Sequence, residues 1–194
     1  TGPSETPAAR HGYRLAVLDA EARGREQPLA ALLAAHVGFP APAESVPVNA
    51  TVGDGSREET VAAARAAVDR GFDCLKLKVG AQPLETDIER VSAVEAAVDA
   101  TLRVDANGAW AETEAFDAVE AFTSLGVAYV EQPVPATELS LLSALRGNGV
   151  DVAVDESVGE MGVDAVLGAE AADVAVVKPM VLGGPDAAVT AARD

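Results

Sequence analysis

The chain has 194 residues, 49% of them hydrophobic, with 31 Asp and Glu against 14 Lys and Arg for a net charge of −17. So acidic a field repels nucleic acid and anionic membrane surfaces, and no apolar stretch approaches the ~20 residues that span a bilayer, so nucleic-acid and membrane partners are not expected. The basic complement is skewed: only Lys76, Lys78 and Lys178 are lysine and the rest is arginine, as a halophilic source would explain.

In chain order, residues 8–35 come first, with Leu15, Val17 and Leu18 and then Leu29, Leu32 and Leu33 at helical spacing. They are expected to be helices ending an N-terminal domain, or a helix that plugs the bottom of the domain after them. Apolar runs rich in Val and Leu follow at Val46–Val52, Cys74–Val79, Leu102–Ala106, Val127–Glu131, Val152–Asp155 and Val174–Lys178, each read as a strand. Helical segments lie between them. Ser56 and Glu59 stand in capping-box relation and Gly71 offers a left-handed stop, so a helix is expected between them. Pro83 opens the next helix, with Asp87–Val98 as its body, and Thr113–Leu125 is a third, closed by Gly126. The single Cys74 cannot form an internal disulfide and is read as a small buried strand residue, which fits a reducing cytoplasm.

Strands joined by single helices imply parallel pairing with right-handed crossovers, hence a doubly wound sheet or a closed barrel. Charged residues recur once per unit, near the carboxyl end of each strand: Lys78, Asp105, Glu131, Asp155 and Lys178 are spaced by 27, 26, 24 and 23 residues. An open sheet gathers ligands at one switch point, whereas a barrel turns every strand end toward a common mouth. The expected fold is therefore an α/β, TIM-type (β/α) barrel. With about six βα units and a last helix, Pro185–Asp194, that has no cap, it is expected to be incomplete, its last strands missing. Residues 45–194 form this partial barrel and residues 1–44 precede it.

Lysine seldom buries an unpaired ammonium, so lysines confined to strands point to chemistry. In Cys74-Leu75-Lys76-Leu77-Lys78-Val79 the period of two sets Leu75, Leu77 and Val79 on one face and both lysines on the other. One face of a barrel strand lies under helices, so Lys76 and Lys78 should point inward. There a neighbouring cation can bring a lysine into the range of a general base. Asp105, Glu131 and Asp155 end three consecutive strands, and three hard oxygen ligands suit Mg²⁺, with Mn²⁺ able to substitute. A purely structural network of lysines and carboxylates is the bland alternative. Lys178 would reach the mouth from the side opposite Lys78.

Lys-x-Lys at 76–78, Asp-Ala-Asn at 105–107, Glu-Gln-Pro at 131–133, Asp-Glu-Ser at 155–157 and Lys-Pro at 178–179, in this order on successive strands, resemble the muconate-lactonizing subgroup of the enolase superfamily. Within it, Pro47-Val-Asn-Ala-Thr51 and Lys178-Pro-Met-Val-Leu-Gly-Gly-Pro185 look most like the o-succinylbenzoate synthases of menaquinone biosynthesis. The resemblance implies a lyase acting on a small carboxylate substrate, 2-succinyl-6-hydroxy-2,4-cyclohexadiene-1-carboxylate, by Mg²⁺-dependent syn dehydration through an enediolate. By the same resemblance Lys78 is the base and then the acid, Lys76 its electrostatic neighbour, Lys178 the cation across the site, and Asp105, Glu131 and Asp155 the metal ligands. Asn107 and Glu156 stand behind them, and residues 1–44 are the C-terminal part of a capping domain with linker helices. An N-acylamino acid racemase, a dipeptide epimerase or a cycloisomerase would use the same machinery. An inactive barrel fragment completed by another chain is a different kind of alternative. A homo-oligomer is left open.

Overall fold

The computed structural model describes residues 6–193. Two helices come first, α1 (Pro7–Gly24) and α2 (Leu29–Val37). Pro7 lies in the first turn of α1, where a missing N–H is harmless, and Gly38 ends α2 with φ +77°, a conformation that only glycine adopts freely. Leu18, Ala22 and Leu32 form a buried cluster with Leu29 and Leu33 against it.

Strands and helices then alternate: β1 (Ala50–Val52), α3 (Arg57–Asp69), β2 (Cys74–Lys78), α4 (Leu84–Glu95), β3 (Thr101–Asp105), α5 (Glu112–Ser124), β4 (Tyr129–Glu131), α6 (Leu139–Leu145), β5 (Asp151–Val154), α7 (Glu156–Met161), α8 (Val163–Gly168) and β6 (Val174–Ala175). Two short helices follow, α9 (Pro179–Leu182) and α10 (Pro185–Arg193). The six strands form one parallel sheet in the order 1-2-3-4-5-6, each beside its neighbour in sequence. A doubly wound sheet would reverse direction at a switch point; this one does not, and the arrangement is that of six strands of a TIM-type barrel.

The register explains which residues face where. Leu77, Val104, Val130 and Val152 are aligned across β2 to β5 and are all fully buried, as are Ala64, Val91, Val94, Ala115, Ala118 and Phe122 on α3, α4 and α5. One position further along, Lys78, Asp105 and Glu131 form the next row, on the opposite face of the same strands. At the start of α3 the capping box is complete: Ser56 Oγ accepts from the Glu59 N–H and the Glu59 carboxylate accepts from the Ser56 N–H. These bonds hold the Glu59 carboxyl below its ordinary value.

Two strands are shorter than the apolar runs suggest. The first, expected from Val46, begins at Ala50, because Pro47 has no N–H to give a ladder; Val46 and Val48 are 71% and 61% exposed. The sixth, expected to reach Lys178, ends at Ala175, and Lys178 instead caps α9, with Pro179 in its first turn.

The chain divides into two compact units. One runs from Pro47 to Val176 and contains the whole sheet; the other joins the residues up to Val46 with those from Val177 onward. In the second unit the Arg10 guanidinium donates to the carbonyls of Leu182 at 3.0 Å and Gly183 at 3.3 Å, and Arg14 pairs with Asp186. Among the described residues no helix is long and apolar enough to cross a membrane.

Candidate active site

The carboxyl ends of β2, β3 and β4 bring four charged side chains together. Lys76 Nζ donates to both oxygens of Glu131, at 2.7 and 2.8 Å, and lies 2.9 Å from Asp105 Oδ2. Lys78 Nζ reaches the same Asp105 oxygen at 2.6 Å and Asn107 Oδ1 at 2.7 Å. One carboxylate oxygen therefore serves two ammonium groups. Asp105 and Glu131 are 1% exposed, Lys76 is 17% and Lys78 is 35% exposed, so the carboxylates form the floor and Lys78 stands nearest solvent.

Electrostatics separate the two carboxylates. Burial works against the charge of Asp105, but hydrogen bonds from Lys78 and Lys76 outweigh it and hold the carboxyl below its ordinary value. Burial pushes the Glu131 carboxyl above its ordinary value; Lys76 opposes this, and the carboxylates of Asp105 and Asp155 add to it. Lys76 loses solvation by burial yet is held above its ordinary value by its bonds to Glu131 and Asp105.

Asp155 follows β5 as the cap of α7, 8% exposed. Its backbone N–H donates to Gln132 Oε1 at 3.1 Å, as does that of Ser157 at 3.1 Å. The Gln132 amide is fully buried and donates to Ser157 Oγ and the Val134 carbonyl, each at 2.9 Å, so one side chain of the Glu-Gln-Pro segment fixes the turn that carries Asp155. Asn107 sits at φ +47°, its N–H bonded to Asp105 Oδ1 at 3.1 Å and its amide nitrogen to Glu156 Oε1 at 2.9 Å. A chain of contacts thus runs from Lys78 through Asn107 to Glu156.

The predicted site residues Lys76, Lys78, Asp105, Asn107, Glu131, Asp155 and Glu156 all lie in the unit from Pro47 to Val176. Lys178 belongs to the other unit, where its carbonyl accepts from the N–H groups of Val181 at 2.9 Å and Leu182 at 3.0 Å. Asp105, Glu131 and Asp155 stand at the ends of three consecutive strands, and among the described residues no group of three His, Cys, Asp or Glu is already drawn together as an ion would hold it. Both Glu131 oxygens and Asp105 Oδ2 face lysine ammonium groups, and Asp105 Oδ1 accepts the Asn107 N–H.

Sequence reading passed over Gln132 and, beneath Lys78, a buried pair: Arg90, 1% exposed, donates to Asp87 Oδ1 at 2.6 Å. Asp-x-x-Arg sets both side chains on one side of a helix, but a solvated ion pair has the same spacing, so the pattern alone does not mark them as buried.

The family described as "Enolase C-terminal domain-like" matches residues 59–193. The o-succinylbenzoate synthase of Thermobifida fusca is 39% identical over 167 residues, covering 83% of this chain and 51% of that protein. That of Mycobacterium tuberculosis is 42% identical over 149 residues, covering 73% and 43%. Among solved structures, the L-Ala-D/L-Glu epimerase from Bacillus subtilis is 30% identical with a TM-score of 0.86, covering 94% of this chain and 51% of that one. Muconate lactonizing enzyme from Pseudomonas fluorescens is 28% identical with a TM-score of 0.88, covering 97% and 51%. The chain spans about half the length of the curated relatives it matches. With the sheet order, the charged row at the strand ends and a family match over most of its residues, the chain belongs to the enolase C-terminal domain-like family.

Proposed function

We propose that the protein is a lyase of the o-succinylbenzoate synthase type, which removes water from 2-succinyl-6-hydroxy-2,4-cyclohexadiene-1-carboxylate in menaquinone biosynthesis. The observation that carries this reading is the row Lys78, Asp105, Glu131, with Lys76 bridging the two carboxylates at 2.7 to 2.9 Å. The reaction type is drawn from the relatives at 39% and 42% identity, whose names give o-succinylbenzoate as the product, and the substrate is the one that the family resemblance implies.

The donor chemistry fits a divalent ion: the carboxylates are hard oxygen ligands from neighbouring strand ends, and Glu131 is held above its ordinary value, which a second cation beside Lys76 would relieve. Asp105, Glu131 and Asp155 would hold Mg²⁺, whose chemistry when bound is that of a Lewis acid toward a substrate carboxylate. Lys78 Nζ, the more exposed of the two ammonium groups in the row, removes the α-proton once neutral, and the C–H electron pair expels the hydroxyl. The same Nζ returns a proton to that hydroxyl, which leaves as water from the same face. Lys76 keeps Glu131 and Asp105 in place, and Asn107, backed by Glu156, holds Lys78 toward the substrate side. Lys178 would offset negative charge from the other face. Residues 1–44 would end a capping domain and residues 45–194 form part of the barrel, in a cytoplasmic protein adapted to high salt.

A second reading, racemisation or epimerisation at the α-carbon of acylated amino acids or dipeptides, draws on the likeness to the Bacillus subtilis epimerase structure. The two are separated by offering the full-length protein, with Mg²⁺, the cyclohexadiene carboxylate and, in D₂O, N-succinyl amino acids. Consumption of the first with product absorbance is the expected result. Deuterium exchange into the second without dehydration would overturn the first choice in favour of the epimerase reading.

A further inference from the structure

Beneath Lys78 lies a network that the proposed mechanism does not use. The Arg90 guanidinium is 1% exposed and all of its recorded partners are internal. Nη1 donates to Asp87 Oδ1 at 2.6 Å and to the Lys78 carbonyl at 3.1 Å, Nη2 to the Gly53 carbonyl at 2.7 Å, and Nε to Thr60 Oγ1 at 3.1 Å. Asp87, fully buried, uses its other oxygen to accept the Gly80 N–H at 2.6 Å. The pair therefore grips the chain on both sides of Val79, at the carbonyl before it and at the N–H after it.

Those are the backbone groups where β2 stops. Val79 N–H bonds to the Asp105 carbonyl at 3.0 Å, and Gly80 turns with φ +86° so close to the next loop that an added Cβ would come within 2.6 Å of Ala109 Cβ and 3.0 Å of the Ala106 carbonyl oxygen. A buried ion pair is seldom the cheapest way to stabilise a core, since an apolar pair of similar volume often does as well or better. What an apolar pair cannot do is hold a carbonyl and an amide at set positions. The guanidinium fork ties the ends of β1 and β2 to α3, and it does so one residue from the side chain expected to move the proton.

We infer that Asp87 and Arg90 are positioning residues: they fix the backbone at Lys78–Gly80 so that Lys78 Nζ is set against Asp105 and Asn107, and this inference rests on the assignment of Lys78 as the proton-transferring group. Proton transfer is steep in distance, and a shift of about 1 Å can cost a hundredfold in rate. The network acts on kcat through Lys78 and leaves Lys76, Glu131 and substrate binding alone.

The test is the double variant Asp87→Leu with Arg90→Met in the full-length protein, which replaces the ion pair by apolar side chains. Lysines are labelled with ¹³C at Cε, and the Lys78 signal is assigned by comparison with Lys78→Arg. The expected result is a folded protein with a lowered melting temperature, since the Gly53 and Lys78 carbonyls and the Gly80 N–H lose their partners, together with a displaced Lys78 signal beside an unmoved Lys76 signal, and kcat lowered about tenfold to a hundredfold with KM nearly unchanged. The primary isotope effect on an α-deuterated substrate should rise, which a mere loss of folded protein would not cause. An unmoved Lys78 signal with kcat within about twofold of the wild type would overturn the inference. Should the double variant not fold, Asp87→Asn is measured for the same signals. Should the wild type neither dehydrate the substrate nor exchange an α-proton, the proposed function falls, and the Lys78 signal alone then decides the clamp: displaced supports it, unmoved overturns it.

Discussion

Asp105 Oδ2 accepts from two ammonium groups while Oδ1 takes the Asn107 N–H, so one side chain organises most of the candidate site. Its oxygens are shared because β2 and β3 run in register, Lys78 beside Asp105, and Lys76 is long enough to reach past it to Glu131. Away from the site, the ion pair of Arg14 with Asp186 gives stability a pH dependence. The Asp186 carboxyl is held below its ordinary value by the hydrogen bond and charge of Arg14, with burial opposing. A depressed carboxyl stabilises the folded state above its unfolded pKa of about 3.9, and that contribution is lost as pH falls through the lower folded value. Asp186→Asn should therefore lower the melting temperature at pH 6 and make little difference near pH 2. Equal offsets at both pH values, seen by thermal melts, would remove the ion pair from the account.

At the scale of elements, α5 shows how a helix is tied by apolar packing to the loop that precedes it. Ala115, Ala118, Val119 and Phe122 recur at helical spacing and are all buried, and the Phe122 ring lies 6.1 Å from that of Trp110 at an angle of 28°. Phe122→Ala should cost about 3–5 kcal/mol by leaving a cavity, read from denaturant unfolding; less than about 1 kcal/mol would mean that the site collapses around the loss. Elements of this kind were legible beforehand because their period repeats: the six strands and the helices after Ser56, Pro83 and Thr113 follow from alternation, capping and glycine stops. The ends were less legible where proline decides. Pro47 shortens β1 and Pro179 turns the expected end of β6 into a helix start, in each case because an imide nitrogen cannot join a ladder. The charged row was legible because lysine and carboxylate are conspicuous in apolar strands. Gln132 and the Asp87–Arg90 pair were not, since a buried polar side chain reveals its partners only when distant backbone groups are brought beside it.

Across the whole chain, chemistry-bearing residues and surface follow separate rules. The net charge of −17 reflects 31 acidic residues, and two of them, the buried Asp105 and Glu131, pair with the ammonium groups of Lys76 and Lys78 where consecutive parallel strands end. The succession of strands 1 to 6 in space is what lets residues some 25 positions apart in sequence stand side by side, and it is the same succession found in relatives about twice as long. In the proposed function Lys78, at the solvent side of this row, carries the proton. That role is tested most directly by comparing the full-length protein with its Lys78→Ala variant for Mg²⁺-dependent dehydration of the cyclohexadiene carboxylate. The expected result is a fall in kcat of about 10²–10⁴-fold with Mg²⁺ affinity, measured by calorimetry, retained; a variant that keeps its activity to within about threefold would remove Lys78 from the proton transfer.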